Sequence, residues 1–174
     1  MNKQSFLRIA GGLLLGVPLL FSLPSFVSTT PADGALSTLT VGKPPRRVEK
    51  TEADWKKILT PQQFSIMRQA GTEPAFTSPL ADNHQHGVYR CVGCHEPLFT
   101  SEAKFESGTG WPSFFTPVSP NIVNNRRDTS YGTVRTEVQC AVCDAHLGHV
   151  FADGPKPTGL RYCINGTALE FVKK

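Results

Sequence analysis

The sequence predicts a mainly β chain, a compact antiparallel β domain with a small helical cap on its N-terminal side. Three observations carry this. After Gly71 the helical period stops, and short runs rich in β-branched and aromatic residues recur between Gly, Pro, Asn and Asp clusters. Polar and apolar residues alternate most strictly in Thr133-Val134-Arg135-Thr136-Glu137-Val138. Ahead of these runs lie two short segments bracketed by helix start and stop signals.

In the first segment Thr51 caps EADWKKIL, with acids in its opening turn and lysines in its last. In the second Thr60 caps PQQFSIMRQA, with Pro61 at the first helical position and Gly71 just past the end. Phe64, Ile66 and Met67 supply its apolar contacts. Strands are expected in GVYRCV (87–92), YGTVRTEVQC (131–140), HLGHVF (146–151), LRYCIN (160–165) and ALEFVK (168–173). The stretch Asn121–Tyr131 reads as an exposed loop.

The first thirty residues differ from the rest. Lys3 and Arg8 precede an uncharged, leucine-rich run from Ile9 to Thr30, the pattern of an export signal. An uncleaved anchor fits as well, because the run is about as long as the ~20 residues of a membrane helix. Residues 1–30 are therefore expected to be a signal peptide or membrane anchor, 31–50 a linker, and 51–174 the folded domain. The chain is expected to be exported: periplasmic, lumenal or membrane-anchored. A hydrophobic share of 39% and a charged share of 18% describe an ordinary globular protein. The net charge of +4 is modest and its cations are scattered. The basic cluster Lys43 to Arg47 reads as solvated linker, so no nucleic-acid surface is expected.

Four of the five cysteines form two matching pairs, Cys91-Val-Gly-Cys94 and Cys140-Ala-Val-Cys143. Two CxxC turns can aim four sulfurs at one point and complete a tetrahedral thiolate shell, which suits structural Zn2+ because no position is left for water. Such a site would act as folding free energy for a small β domain. Two alternatives stand beside it: disulfides between the pairs, the usual role of cysteine in an exported chain, and a redox dithiol.

Cys163 is left over. As a buried thiol it would be a small hydrophobe. Its neighbours point elsewhere. Arg161 and Asn165 lie at i−2 and i+2, on the same face of a strand, where a cation and an amide are expected to lower the thiol pKa. Upstream, AHLGHVF places His146 and His149 close together as proton donors or metal ligands.

The blocks YRCVGC (89–94), SGTGWPSF (107–114), RTEVQCAVCDAHLGHVF (135–151) and DGPKPTGLRYCIN (153–165) resemble, in order, those of the methionine-sulfoxide reductase B family. The likeness runs from about Leu59 to Phe171. It implies two antiparallel sheets, a structural zinc on Cys91, Cys94, Cys140 and Cys143, and peptide-methionine (R)-S-oxide reductase activity. The matching roles are Cys163 as nucleophile, His149 as acid, His146 and Asn165 lining the site, and Arg161 tuning the nucleophile. Trp111 would receive the substrate methyl group, and Thr72 would border the site. The chemistry is consistent: a sulfoxide sulfur becomes electrophilic only when its oxygen is protonated, so thiolate and acid are needed together. Attack would leave a sulfenic acid on Cys163.

Many family members carry a resolving cysteine where this chain has Thr109. With the other four cysteines assigned to zinc, an outside thiol is expected to regenerate Cys163: a thioredoxin-like protein, glutathione or glutaredoxin, or a small dithiol. The expected role is repair of oxidised methionine in proteins outside the cytoplasm. Competing readings are a noncatalytic zinc module that uses the 121–131 loop to hold a partner, and a thiol–disulfide exchanger working through one CxxC pair.

Overall fold

The computed structural model describes residues 46–174. The signal or anchor expected over 1–30, and the linker up to residue 45, lie outside the described residues. Among the described residues no helix is long and apolar enough to cross a membrane.

Both helices form as their end signals require. Helix α1, Glu52–Ile58, is capped by the Thr51 hydroxyl accepting from the Asp54 N–H. Helix α2, Pro61–Gln69, starts with a reciprocal capping box between Thr60 and Gln63. It ends at Ala70, which takes the left-handed conformation (φ 53°) often given to glycine. The neighbouring Gly71 serves a different need: a Cβ there would meet the Ser65 carbonyl oxygen at 3.0 Å. Phe64, Ile66 and Met67 are all buried, as expected.

Among the described residues nine strands follow: β1 (Gly87–Cys91), β2 (Pro97–Thr100), β3 (Lys104–Phe105), β4 (Ser113–Phe114), β5 (Val123–Asp128), β6 (Arg135–Cys140), β7 (His146–Phe151), β8 (Arg161–Ile164) and β9 (Leu169–Lys173). They make two antiparallel sheets, β2-β1-β9 and β3-β4-β8-β7-β6-β5. The core lies between them. Phe99 of the small sheet stacks on Phe114 of the large one at 4.4 Å, and Tyr89 meets Phe114 edge-on at 4.9 Å.

Two expectations about strands are corrected. Residues 123–128 are not loop but β5, an edge strand paired over its whole length with β6. Its middle residues Asn124–Arg127 are all exposed and polar, so it lacks the apolar alternation by which a strand is read; a charged edge also resists pairing with other chains. The expected 131–140 strand begins only at Arg135, because Ser130–Gly132 forms a 3-10 turn and Val134 lies in solvent.

A bulge in β7 decides the site. Glu137 pairs with His149 and Val138 with Gly148, but Gln139 pairs with His146, so Leu147 is an extra residue against β6. The slip lets His146 and His149, an odd number of positions apart, share one face. Gly148 allows the close approach of β8: a Cβ there would meet the Cys163 carbonyl oxygen at 2.1 Å.

Candidate active site and four-sulfur centre

Each CxxC pair is a turn of the same build. The His95 N–H donates to the Cys91 carbonyl (2.8 Å) and the Cys91 N–H to that of Glu96 (2.9 Å). Asp144, Cys140 and Ala145 repeat the pattern at 2.9 Å each. His95 and Asp144 both take left-handed backbone, φ 59° and 54°, to turn the chain back. The four sulfurs consequently converge within 4.8 Å of one another, all buried. Cys91 and Cys143 are 3.7 Å apart, and Cys94 and Cys140 3.6 Å. A disulfide needs about 2.05 Å. A tetrahedron with metal–sulfur arms of about 2.3 Å has edges of about 3.8 Å. The cluster therefore has the dimensions of a metal shell. Crowding drives the thiols apart in acidity: hydrogen bonds from Cys143, Cys91 and Cys94 push Cys140 far below the ordinary thiol value, and Cys143 is driven far up chiefly by its bond to Cys140.

The helical cap seals this centre. A Cβ on Gly93 would lie 3.3 Å from both Met67 and Trp55, and Arg68 donates to the Cys143 carbonyl at 2.8 Å. Arg47 is tied down too, gripping Asp144 through two hydrogen bonds of 2.8 and 2.5 Å, while the Val48 N–H donates to the Val142 carbonyl. The end of the basic cluster thus clasps the second turn rather than hanging in solvent.

Cys163 sits mid-sheet on β8, opposite Ser113 on β4 and His149 on β7. Directly opposed side chains share a face, so thiol and imidazole meet by register. Around them opens a pocket of about 430 Å³. Of the residues singled out from sequence, Thr72, Trp111, His149, Cys163 and Asn165 line it; Arg135, Gly148 and Phe151 complete the wall. His146 stands behind, its ring edge-on to His149 at 5.5 Å and its Nδ1 donating to Glu137 at 2.7 Å. It is 3% exposed, and its Nε2 has no hydrogen-bond partner among the described residues.

Two local expectations change. Burial raises the Cys163 pKa, outweighing the Thr109 hydroxyl and the charge of Arg161 that would lower it. Arg161 is largely spent elsewhere, with a two-pronged pair to Asp153 (2.9 and 2.7 Å) and its guanidinium over the Phe151 ring at 4.5 Å. Asn165 lies just past the end of β8 and lines the same pocket as Cys163. Its Oδ1 accepts from the Glu73 N–H and its Nδ2 donates to the Leu147 carbonyl, both at 3.0 Å.

A run of hydroxyls reaches the thiol. Ser113 Oγ donates to the Trp111 carbonyl (3.2 Å), Ser107 and Ser113 are 2.7 Å apart, Ser107 and Thr109 2.8 Å, and Thr109 Oγ1 lies 3.8 Å from Cys163 Sγ. Ending on a carbonyl, the chain is satisfied when each hydroxyl donates toward Ser113 and the S–H donates to Thr109.

Three acids are missing from the sequence reading. Asp128, on the polar edge strand, accepts from His149 Nε2 (2.8 Å), Arg135 (2.7 Å) and Ser130. Those bonds, the Ser130 hydroxyl first, hold it well below the usual carboxylate range. An ionised acceptor fixes the proton on Nε2, leaving Nδ1 to exchange one. Burial pulls His149 below its ordinary value, against Asp128. Glu137 orients His146. Glu73 is buried, and its carboxylate accepts from the Gly166 and Thr167 N–H groups (2.5 and 2.8 Å) and the Thr167 hydroxyl. Its carbonyl takes Trp111 Nε1 at 3.1 Å. Its sequence signal is its place next to Thr72, in the run Thr72-Glu73-Pro74.

Residues 59–173 match the SelR domain family. The chain is 55% identical over 125 residues to a peptide methionine sulfoxide reductase MsrB of Agrobacterium fabrum, covering 72% of this chain and 93% of that protein. An MsrB of Leptospira interrogans is 54% identical over 73% of this chain and 97% of its own length. One of Pseudomonas fluorescens is 52% identical over 74% and 98%.

Proposed function

The chain belongs to the methionine sulfoxide reductase B family, and from that premise we propose that it reduces the R epimer of methionine S-oxide in proteins, with Cys163 as nucleophile. The observation that carries this reading is the cross-strand pairing of Cys163 with His149 in a pocket walled by Trp111. Cys163 raised and His149 lowered make a neutral pair at rest. When a sulfoxide enters, His149 takes the thiol proton and passes it to the sulfoxide oxygen as Cys163 Sγ attacks the sulfur. In the adduct so formed the hydroxyl shifts from the substrate sulfur to Cys163 Sγ as both the S–O bond and the new S–S bond break. Methionine leaves as the thioether, and Cys163 carries the oxygen as a sulfenic acid. Trp111, fixed by its bond to Glu73, offers an apolar wall to the substrate methyl. Thr72 borders the opening. Arg161 steadies the negative charge on sulfur during attack, and His146 and Asn165 hold the histidine-bearing strand and the loop around it.

The four-sulfur centre fits zinc in donor set, burial and dimensions. Cys91, Cys94, Cys140 and Cys143 would hold it, and the ion would supply a structural cross-link that neutralises the thiolates. Thr109 lies where the family's resolving cysteine would be, and the other cysteines are committed. An external thiol therefore attacks the sulfenic acid, releasing water, and a second thiol frees Cys163. The basic-then-apolar segment 1–30 supports export, to repair oxidised proteins outside the cytoplasm; recovery of the intact chain only from cytosol would refute that.

The test is turnover of the separate R and S epimers of a blocked methionine sulfoxide by the full chain, with dithiothreitol and alternatively with thioredoxin. Reduction of R alone, abolished in Cys163→Ser, is the expected result. Turnover of S, or activity surviving in Cys163→Ser, would overturn the reading.

A further inference from the structure

The pocket admits one side chain, so a polypeptide carrying an oxidised methionine must continue over the rim. Beside Trp111 that rim is a groove. A second cavity, of about 630 Å³, opens there between Phe76, Ala81, Asp82, Glu106, Gly108 and Gly110, and Trp111 lines both cavities.

Phe76 is 76% exposed, the most of any large apolar side chain among the described residues. Its backbone is in the left-handed region (φ 64°), a strained state for a bulky residue. The Phe76 N–H donates to the Gly110 carbonyl at 2.8 Å, which locks the ring beside the loop that bears Trp111. Gly110 permits the approach, since a Cβ there would lie 2.8 Å from the Phe76 nitrogen. A largely exposed aromatic ring thus stands on strained backbone next to the active-site tryptophan. The groove is otherwise small-walled: a Cβ on Gly108 would touch nothing within 4 Å. Its polar wall is acidic. Glu106 is met by Lys104 at 3.0 Å, Asp82 by His84 at 3.2 Å, and His84 also reaches Glu106 at 3.9 Å. Leaving His84 aside, two carboxylates face one ammonium.

We propose that this groove seats the residue adjoining the oxidised methionine in a polypeptide substrate, accepting an apolar or basic side chain against Phe76 and disfavouring an acidic one. The proposal rests on the reductase reading. Its warrant is continuity: the occupant of the groove must be chain that leaves the pocket across Trp111.

The experiment compares the full chain with Phe76→Ala on a blocked methionine R-sulfoxide and on short peptides in which Leu, Lys or Glu flanks that residue. The ratio of kcat/KM on the Leu and Lys peptides to that on the blocked amino acid should fall about tenfold in Phe76→Ala, mainly through KM. The Glu peptide should be the poorest substrate of the unaltered chain. A ratio held within twofold, or a Glu peptide as good as the others, overturns the groove. Titration of the same peptides into Cys163→Ser protein, with and without Phe76→Ala, reads the groove without turnover. Affinity about tenfold weaker in the double variant supports it, and equal affinity overturns it. Inactivity on the blocked amino acid would count against the reductase reading alone.

Discussion

Glu73→Gln should loosen the site and destabilise the fold together. The carboxylate is buried and takes three donors, from Gly166 and Thr167 at the start of a 3-10 turn. A carboxamide keeps one oxygen for the Gly166 N–H but turns an NH2 toward the Thr167 N–H, donor against donor. Burying that unpaired donor costs about 1–3 kcal/mol, and demoting the surviving charge-assisted bond to a neutral one costs about 1 kcal/mol more. The sum is about 2–4 kcal/mol, or about 6–12 °C in melting temperature at roughly 3 °C per kcal/mol for a domain of this size. Because the Glu73 backbone also holds Asn165 Oδ1 and Trp111 Nε1, KM for the sulfoxide should rise several-fold in the same variant. Thermal denaturation by circular dichroism and steady-state kinetics on one preparation measure both. A melting temperature within about 1 °C of the unaltered chain would refute the reasoning, because the three bonds would then be contributing nothing net.

Asp128→Ala removes the carboxylate that raises His149 and leaves burial unopposed, so the His149 limb of the pH–rate profile should move to lower pH, with activity at pH 7 down about tenfold or more; an unmoved profile would exclude Asp128 from the chemistry. Cys163 alkylation by iodoacetamide should have its midpoint above that of an ordinary thiol, because burial raises it, and Arg161→Met should move the midpoint further up by removing a lowering influence; a downward shift would contradict the assignment. Thr109→Cys puts a thiol where an oxygen now lies 3.8 Å from Cys163 Sγ, so sulfoxide turnover should yield a 109–163 disulfide by mass spectrometry, and persistent sulfenic acid would count against that geometry. Cys140→Ala should release one bound zinc per chain and abolish cooperative unfolding, since structural zinc supplies about 10–16 kcal/mol against a total domain stability of about 5–15 kcal/mol; a metal-free chain with an unchanged melting temperature would deny the centre its structural role.

Legibility followed the range of the forces involved. The helices were readable to within a residue or so because Thr51, Thr60 and Gln63 satisfy their own neighbours' N–H groups. Strands β1, β6, β7, β8 and β9, each with an apolar face, were readable from composition, whereas β2, β3 and β4 are too short to show a period and β5 was not readable at all. Its role is to pair an edge and offer Asp128, and neither task needs apolar alternation. The Cys163 pKa went the other way from the sequence reading because proximity along the chain shows Arg161 but not the burial that the packed sheet imposes on the thiol, and burial is the larger influence.

The sequence by itself determined the two CxxC turns, the solitary Cys163, the capped helices and a hydroxyl rather than a thiol at Thr109, since each depends on residue identity at short separation. Tertiary structure alone decided that a one-residue bulge at Leu147 turns His146 and His149 to one face, that strand register sets His149 against Cys163, and that Glu137 and Asp128 meet the two histidines while Glu73 holds Asn165 and Trp111. The physical reason is common to all three: a side chain's protonation and aim are set by its neighbours in space, and a β fold draws those neighbours from strands far apart in the chain.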